Sequence, residues 1–336
     1  MATNYITTAT DMATVANAIR AKGGTVASLS WPSGFATAIT DIPTSGGGDE
    51  VFAQMITRTY SFATPLQTVT TSIVGGGAFA EWLYPTALSF PNATSIGEYA
   101  FHGASFNGLT FPNCTTIGSH AFNNYQNSNI TFTKMSVVPN YAFYSASFTT
   151  MTDSMFPSAT IVQSSACRYA RLTTVSLSKI VSAYQYAFAN CTALTDVSLP
   201  SLKGTLGIAA FTGCTALTTI TLPNVGILNS AAFQGCTALT AVYLPKCTKI
   251  SSTYAFRSCY NLLSLYLLNS TMATLTSTNT FASTPISNYT TSTGGVYGSI
   301  YVPDTLLASY KAATNWKTYS ARFVGLTSAQ IAALGF

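Results

Sequence analysis

A phenylalanine, usually preceded by alanine, returns along this chain at intervals that only a stacked repeat explains. The series is Phe79, Phe101, Phe122, Phe143, Phe188, Phe211, Phe233, Phe256 and Phe281, with Cys167 in the same place between Phe143 and Phe188. Successive intervals are 22, 21, 21, 24, 21, 23, 22, 23 and 25 residues, so about ten units of roughly 22 residues follow one another. The clearest copies read CTALTDVSLP (191–200), CTALTTITLP (214–223) and CTALTAVYLP (236–245). One consensus covers them: C-x-x-L-x-x-V-x-L-P, an aliphatic residue, then A-F. The V-x-L step alternates with period 2 and predicts one very short strand per coil. Proline closes it at Pro91, Pro112, Pro200, Pro223 and Pro245, because it lacks the N–H that a ladder needs. A coil of this size has too little apolar surface to offset the ordering of its own backbone, so the coils must stack and share a core.

The string A-F-x-x-C-x-x-L-x-x-V-x-L-P resembles the BspA-like, treponemal-type leucine-rich repeat. The resemblance spans about residues 51–303 and implies a β-rich solenoid. It fades in YSASFTTMTDSMFPSATIVQSSACRYARL (144–172) and in the insertion between Leu268 and Ile300, where irregular coils or a bulge are expected.

The ends differ from the middle. Residues 10–22 place Met12, Val15, Ala16 and Ile19 on one helical face, with Thr10 or Asp11 as the cap and Gly23-Gly24 as the stop. A second short helix carrying Phe35 and Ile39 follows Trp31-Pro32. Residues 1–43 thus form an expected helical module for attachment or oligomerisation, and TSGGGDE (44–50) reads as a flexible linker. The strings DMATVANAIRAKGGT (11–25) and SLSWPSGFATAI (28–39) resemble an N-terminal segment of bacteriophage tail and baseplate proteins of Gram-positive hosts. At the other end, residues 304–336 read as a cap: Asp304 would start a helix carrying Leu306, Leu307, Tyr310, Ala313 and Trp316, covering the open edge of the solenoid. The opening residues show no basic region followed by an apolar core, so export by the general secretion route is not expected. No run of apolar residues is long enough to span a bilayer, and membrane insertion is not expected.

Composition narrows the chemistry. Charged residues are 7% of 336, against about 25% in an ordinary domain, while 53 Thr and 37 Ser supply the polar surface. A net charge of +5 without any Lys/Arg run gives no stripe for nucleic acid. Cys191, Cys214, Cys236 and Cys259 occupy one repeat position and would form a straight column of core filler, not a converging metal cage. The odd total of seven, with Cys114, Cys167 and Cys247, fits reduced thiols. His102 and His120 lie in different columns, and Glu81, Glu98, Asp153 and Asp196 form no recurring pair of the kind glycosidases use. Glycine runs 46–48 and 75–77 open no phosphate-binding motif. No enzyme activity, metal or cofactor is expected.

The informative surface position lies between the two inward aliphatics of each strand. Coil by coil it reads Ser89, Thr110, Thr131, Ser176, Ser198, Thr221, Tyr243, Tyr266 and Tyr301. Tyrosine joins a flat apolar face to a hydroxyl, which suits a sugar ring or a protein anchor; simple cross-strand packing is the plainer account of it. Tyr243, Tyr266 and Tyr301 are therefore the candidate ligand-binding residues, with Tyr289 and Tyr297 as accessory candidates. The expected function is a non-catalytic phage tail fibre or receptor-binding protein of the virion that recognises a host-surface glycan or protein. Its N-terminal helices would join other tail or baseplate proteins, and the chain would be a homo-oligomer, a trimer by analogy with tail fibres. The alternative is a bacterial cell-surface leucine-rich repeat adhesin. Deleting residues 1–43 should leave a folded solenoid that no longer assembles; sedimentation of the truncated chain as the same oligomer would refute the assembly role.

Overall fold

The computed structural model describes residues 68–336 apart from 70, 128 and 252. The expected helical module at 1–43, the linker at 44–50 and the first part of the solenoid lie outside the described residues. The chain divides into two compact units, Met1–Phe132 and Thr133–Phe336. Among the described residues, each contains stacked coils whose strands pair in parallel.

Two ladders run through each unit where the sequence predicts one. In the first unit, Leu83–Ser89, Ser105–Phe111 and Ile130–Phe132 form one sheet, and the two-residue strands Ile73–Val74, Ser95–Ile96 and Thr116–Ile117 form another. The second unit repeats the arrangement. In its first coils Thr174–Ser176 pairs with both Thr150–Thr152 and Asp196–Ser198, and Ile161–Val162 with both Val137–Val138 and Ser182–Ala183. Later coils build a five-stranded sheet from Thr219–Thr221, Ala241–Tyr243, Ser264–Tyr266, Ser299–Pro303 and Phe323–Leu326. The small ladder escapes a period-2 reading because most of its strands are two residues long and turn a single residue inward, such as Ile96, Ile117 or Ile250.

The repeat phenylalanines are buried and stacked. Rings of Phe79, Phe101 and Phe122 lie 5.1 and 4.9 Å apart and almost parallel. In the second unit, Phe188, Phe211, Phe233, Phe256 and Phe281 continue at 5.3, 5.7, 5.6 and 5.5 Å. Phe90, Phe111 and Phe132 add a second column in the first unit, at 4.8 and 5.1 Å. Its rings meet Phe101 and Phe122 edge to face, the arrangement that the aromatic quadrupole favours.

Around each repeat Phe the chain makes a turn with left-handed residues two positions before and two positions after the ring. Before it stand Gly77, Tyr99, His120, Tyr141, Ser165, Tyr186, Ala209, Ala231 and Tyr254; after it, Glu81, Gly103, Asn124, Ser145, Tyr169, Asn190, Gly213, Gly235, Ser258 and Ser283. For a residue with a Cβ this conformation costs about 1–2 kcal/mol. Bonds to the next coil within a unit hold such turns: Phe101 N donates to Ala121 O at 2.7 Å, and Phe211 N donates to Ala232 O at 2.9 Å.

Threonine is abundant for a related reason. Hydroxyls of Thr94, Thr173, Thr195, Thr240 and Thr248 each donate to a backbone carbonyl one coil earlier, at 3.0–3.2 Å. The side chain thus satisfies a carbonyl without introducing charge.

The ladders stay in register through residues 150–162, where the consensus is lost and an irregular coil is expected. Met151 pairs with Val175 and fills the inward aliphatic place, while Cys167 fills the phenylalanine place with its sulfur 3.6 Å from that of Met151. Apolar character is conserved although the motif is not. Thr152 consequently joins Ser176 and Ser198 in the outward column. The insertion is irregular as expected, with short 3-10 turns at Thr278–Phe281, Pro285–Ser287 and Thr291–Thr293.

The C-terminal segment is more than a capping helix. A 3-10 turn, Asp304–Leu306, leads into the helix Leu307–Ala312. Pro303 takes the cap position, so Asp304 sits in the first turn rather than capping it. Phe323–Leu326 then adds a parallel strand against Ser299–Pro303. Tyr319 meets the Phe281 ring edge-on at 5.1 Å, where a further repeat ring would stack. Trp316 Nε1 donates to Ala273 O at 2.7 Å, and the Tyr310 hydroxyl accepts from Ala273 N at 2.7 Å.

Phe211→Ala should lower unfolding free energy by about 3–5 kcal/mol in urea titrations, since it opens a hole between two stacked rings. Ala231→Gly, at φ +56°, should raise it by up to about 1 kcal/mol. A fall for Ala231→Gly would contradict strain at that turn.

Candidate functional site

Tyr243, Tyr266 and Tyr301 come together. Their strands pair directly, Tyr243 opposite Tyr266 and Tyr266 opposite Tyr301. The alternation that turns Val242, Leu265 and Ile300 into the core turns the tyrosines outward. Ring centroids are 4.3 and 4.5 Å apart, with planes within 6° and 10° of parallel. Strand spacing of about 4.7–4.9 Å dictates this, because identical residues at in-register positions have no other way to lie. Thr221 flanks Tyr243 on one side of the column and Val324 flanks Tyr301 on the other. The ring of Phe336 also lies 5.9 Å from Tyr243.

Both faces of Tyr266 are therefore covered by its neighbours, and the column presents ring edges and hydroxyls instead of flat platforms. All three tyrosines are half-buried. Burial, reinforced by the adjacent Tyr243, raises the Tyr266 hydroxyl above its ordinary pKa, so it remains a neutral donor and acceptor through the physiological range. Such a row can hydrogen-bond a polar ligand along its edge; it cannot take a sugar ring against the face of Tyr266. The accessory candidates have other partners: Tyr289 packs on Tyr260 at 5.2 Å, and the guanidinium of Arg322 lies 3.8 Å from the Tyr297 ring centre.

The remaining candidates for chemistry are placed as follows. All seven cysteines are free and buried. Cys191, Cys214, Cys236 and Cys259 donate to the carbonyls of Cys167, Phe188, Phe211 and Phe233 at 3.2, 3.2, 3.1 and 3.0 Å, so the thiols serve the core. Desolvation pushes Cys191 and Cys236 up from the ordinary 9.0 to about 12. Among the described residues no group of His, Cys, Asp or Glu could hold a metal ion. His102 and His120 both contact Tyr99, at 5.9 and 5.1 Å, the His120 ring stacked on it and the His102 ring edge-on. Asp153 accepts from Ser178 N at 2.9 Å, and Asp196 accepts from the Thr195 hydroxyl at 2.8 Å. These acids fasten turns and strands.

A second aromatic group was hidden from the column reading. Tyr141, Tyr144, Tyr169 and Tyr186, with Arg168, sit on successive turns of the second unit rather than on its strands. They occupy three different repeat positions, so no single column reveals them. The left-handed residues flanking each repeat ring were the available signal, and glycines at 77, 103, 213 and 235 mark them.

The chain belongs to the BspA-type leucine-rich repeat family. The model of the BspA type leucine rich repeat region matches residues 72–193 and 181–296, with six copies. Proteins of this kind are generally binding proteins without catalysis and are often found at the cell surface. No curated relative matches. Among solved structures, the chain is similar to the pneumococcal vaccine antigen PcpA, with 16% identity and TM-score 0.44, covering 76% of this chain and 69% of that one. It is also similar to a leucine rich cell surface protein from Faecalibacterium prausnitzii, with 22% identity and TM-score 0.39, covering 61% of this chain. It spans 60% of that protein's length. The leucine-rich repeat protein of Treponema pallidum is 26% identical with TM-score 0.28, over 39% of this chain and 57% of that one. No helix among the described residues is long and apolar enough to cross a membrane.

The thiol column sets an alkaline limit. An acid group whose pKa is raised by folding keeps its proton while the unfolded chain loses it. Stability should therefore be fully retained below about pH 9 and fall as pH rises toward 12. Native thiols should resist iodoacetamide at pH 8 and react only on unfolding; rapid labelling of the folded chain would refute their burial.

Proposed function

We propose that the chain is a non-catalytic recognition protein whose tyrosine column, Tyr243, Tyr266 and Tyr301, contacts a bacterial host-surface ligand, a wall glycan or protein. The observation that carries this reading is the in-register row of hydroxyl-tipped rings, 4.3 and 4.5 Å apart, on a scaffold with 7% charged residues. The row offers closely spaced donors and acceptors without the desolvation penalty of buried charge. In this reading the carrier is a phage tail. The strings 11–25 and 28–39 support it through their likeness to tail and baseplate proteins, and the N-terminal segment joins tail partners as a homo-oligomer, a trimer. The family match favours a second reading, a bacterial surface adhesin using the same row.

Replacing all three tyrosines by phenylalanine keeps the stack and removes only the hydroxyls. The melting temperature should stay near that of the parent, while adsorption to Gram-positive cells and their extracted wall polysaccharide should weaken roughly tenfold or more. Unchanged adsorption would remove the column from recognition. Antiserum against the full chain separates the carriers: label at virion tails supports the first reading, and label on walls of uninfected cells supports the second.

A further inference from the structure

We propose that Lys179, Lys203, Lys246 and Lys249 form a second binding site, a cationic strip for a linear phosphodiester polymer, independent of the tyrosine column. The sequence holds no run of basic residues, yet stacking gathers these lysines along the small ladder of the second unit. Lys203 opens the strand Lys203–Leu206 and stands opposite Asn224 on the strand Asn224–Leu228. Lys246 reaches Asn224 from the following coil, its ammonium donating to Asn224 Oδ1 at 2.7 Å, and Lys249 pairs with Ile227. Lys179 belongs to the coil before Lys203, where Val181 O accepts from Lys203 N at 3.2 Å. All four lysines are exposed.

Neutral acceptors hold the strip without discharging it. Lys179 Nζ donates to Pro157 O at 2.6 Å, as Lys246 does to the Asn224 amide, so each of these ammonium groups spends one of its three N–H bonds and keeps its charge. Among the described residues none of the four lysines meets a carboxylate. Thr133–Phe336 carries eleven Lys or Arg against three Asp and no Glu, a net charge of +8, whereas the chain as a whole is +5. Asp196 lies on the main ladder and Asp304 in the C-terminal 3-10 turn. Only Asp153, which accepts from Ser178 N, stands near the strip, at its Lys179 end.

Repulsion along the ladder calls for an anion. Lys203 and Lys246 sit one coil to either side of Asn224, so their backbones are about 9–10 Å apart. That is within the screening length of about 10 Å at 0.1 M salt, and the strands Lys203–Leu206, Asn224–Leu228 and Lys249–Ile250 contain no acid to offset it. A chain of anions laid along the strip would.

The surroundings select the kind of chain. Lysine acts as a point charge with rotatable donors, which suits phosphate oxygens at uneven spacing and needs no planar match. Gly204, Thr205, Gly226 and Thr248, beside the lysines, offer no ring on which a nucleic-acid base could stack. The lysines stand in single file, which a flexible polymer can follow, whereas a stiff duplex winds most of its phosphates away from such a line.

Binding of the full chain to deacylated poly(glycerol phosphate) tests the proposal, with dextran as the neutral polymer and duplex DNA at equal phosphate concentration as the base-bearing one. Poly(glycerol phosphate) should bind, with the logarithm of affinity falling against that of salt concentration with a slope of about 3, at roughly 0.7 per phosphate engaged. Lys203→Gln should weaken binding about threefold at low salt and lower the slope by about 0.7, while Lys311→Gln, an equal charge loss on the C-terminal helix, should change it less than about 1.5-fold. Replacing Lys203, Lys246 and Lys249 together by glutamine should weaken binding more than about tenfold and keep the parent's melting temperature, since all three side chains are exposed. The three-tyrosine phenylalanine variant of the column should bind poly(glycerol phosphate) as the parent does. Equal losses for Lys203→Gln and Lys311→Gln would reduce the effect to net charge and overturn the proposal. So would duplex DNA or dextran binding as tightly, or no binding to poly(glycerol phosphate).

Discussion

Parallel, in-register pairing from coil to coil governs nearly everything else in this molecule. It places each side chain about 4.8 Å from its counterpart one coil away, so every repeat position must be compatible with itself. Phenylalanine meets that demand by stacking, threonine by donating to the neighbouring carbonyl, and cysteine by donating its thiol in the same direction. Lysine or glutamate repeated at one position would face like charge at contact distance. The low charge content is therefore a consequence of the pairing, and the 53 threonines are its polar substitute.

The same rule yields two kinds of aromatic surface. Tyr243, Tyr266 and Tyr301 share a strand position and stack, which leaves an edge of hydroxyls. Tyr141, Tyr144 and Tyr169 occupy staggered turn positions and meet at angles, and the Arg168 guanidinium lies over the rings of Tyr169 and Tyr186. Placement within the coil decides what a tyrosine can offer a ligand. Hydroxyl edges suit polar hydrogen bonding.

Much of this was legible in the sequence, and the rest was hidden for identifiable reasons. The A-F period located the buried rings, and the V-x-L-P step located the main ladder together with its outward column. The small ladder was missed because one inward residue, such as Ile250, makes no periodic pattern. The stretch 144–172 looked irregular because Met151 and Cys167 replace consensus residues with other apolar side chains. At the C-terminus the aromatic residues were visible, but not that Phe323–Leu326 would extend the sheet or that Tyr319 would end the ring stack. The turn patch stayed out of sight because left-handed backbone is announced by glycine, and here tyrosine occupies those places.

The turns that bear left-handed residues are built from bonds between main-chain atoms of successive coils, as from Phe211 to Ala232 and from Gly213 to Gln234. Side chains on those turns carry no instruction for the path of the chain, and Tyr186, Ala209 and Ala231 are tolerated in turn at one position. Such a molecule separates its inheritance into a fixed interior and a rewritable exterior. New specificities arise by changing a few outward letters, and reach changes by duplicating or deleting one whole coil, with neither event disturbing the grammar beneath.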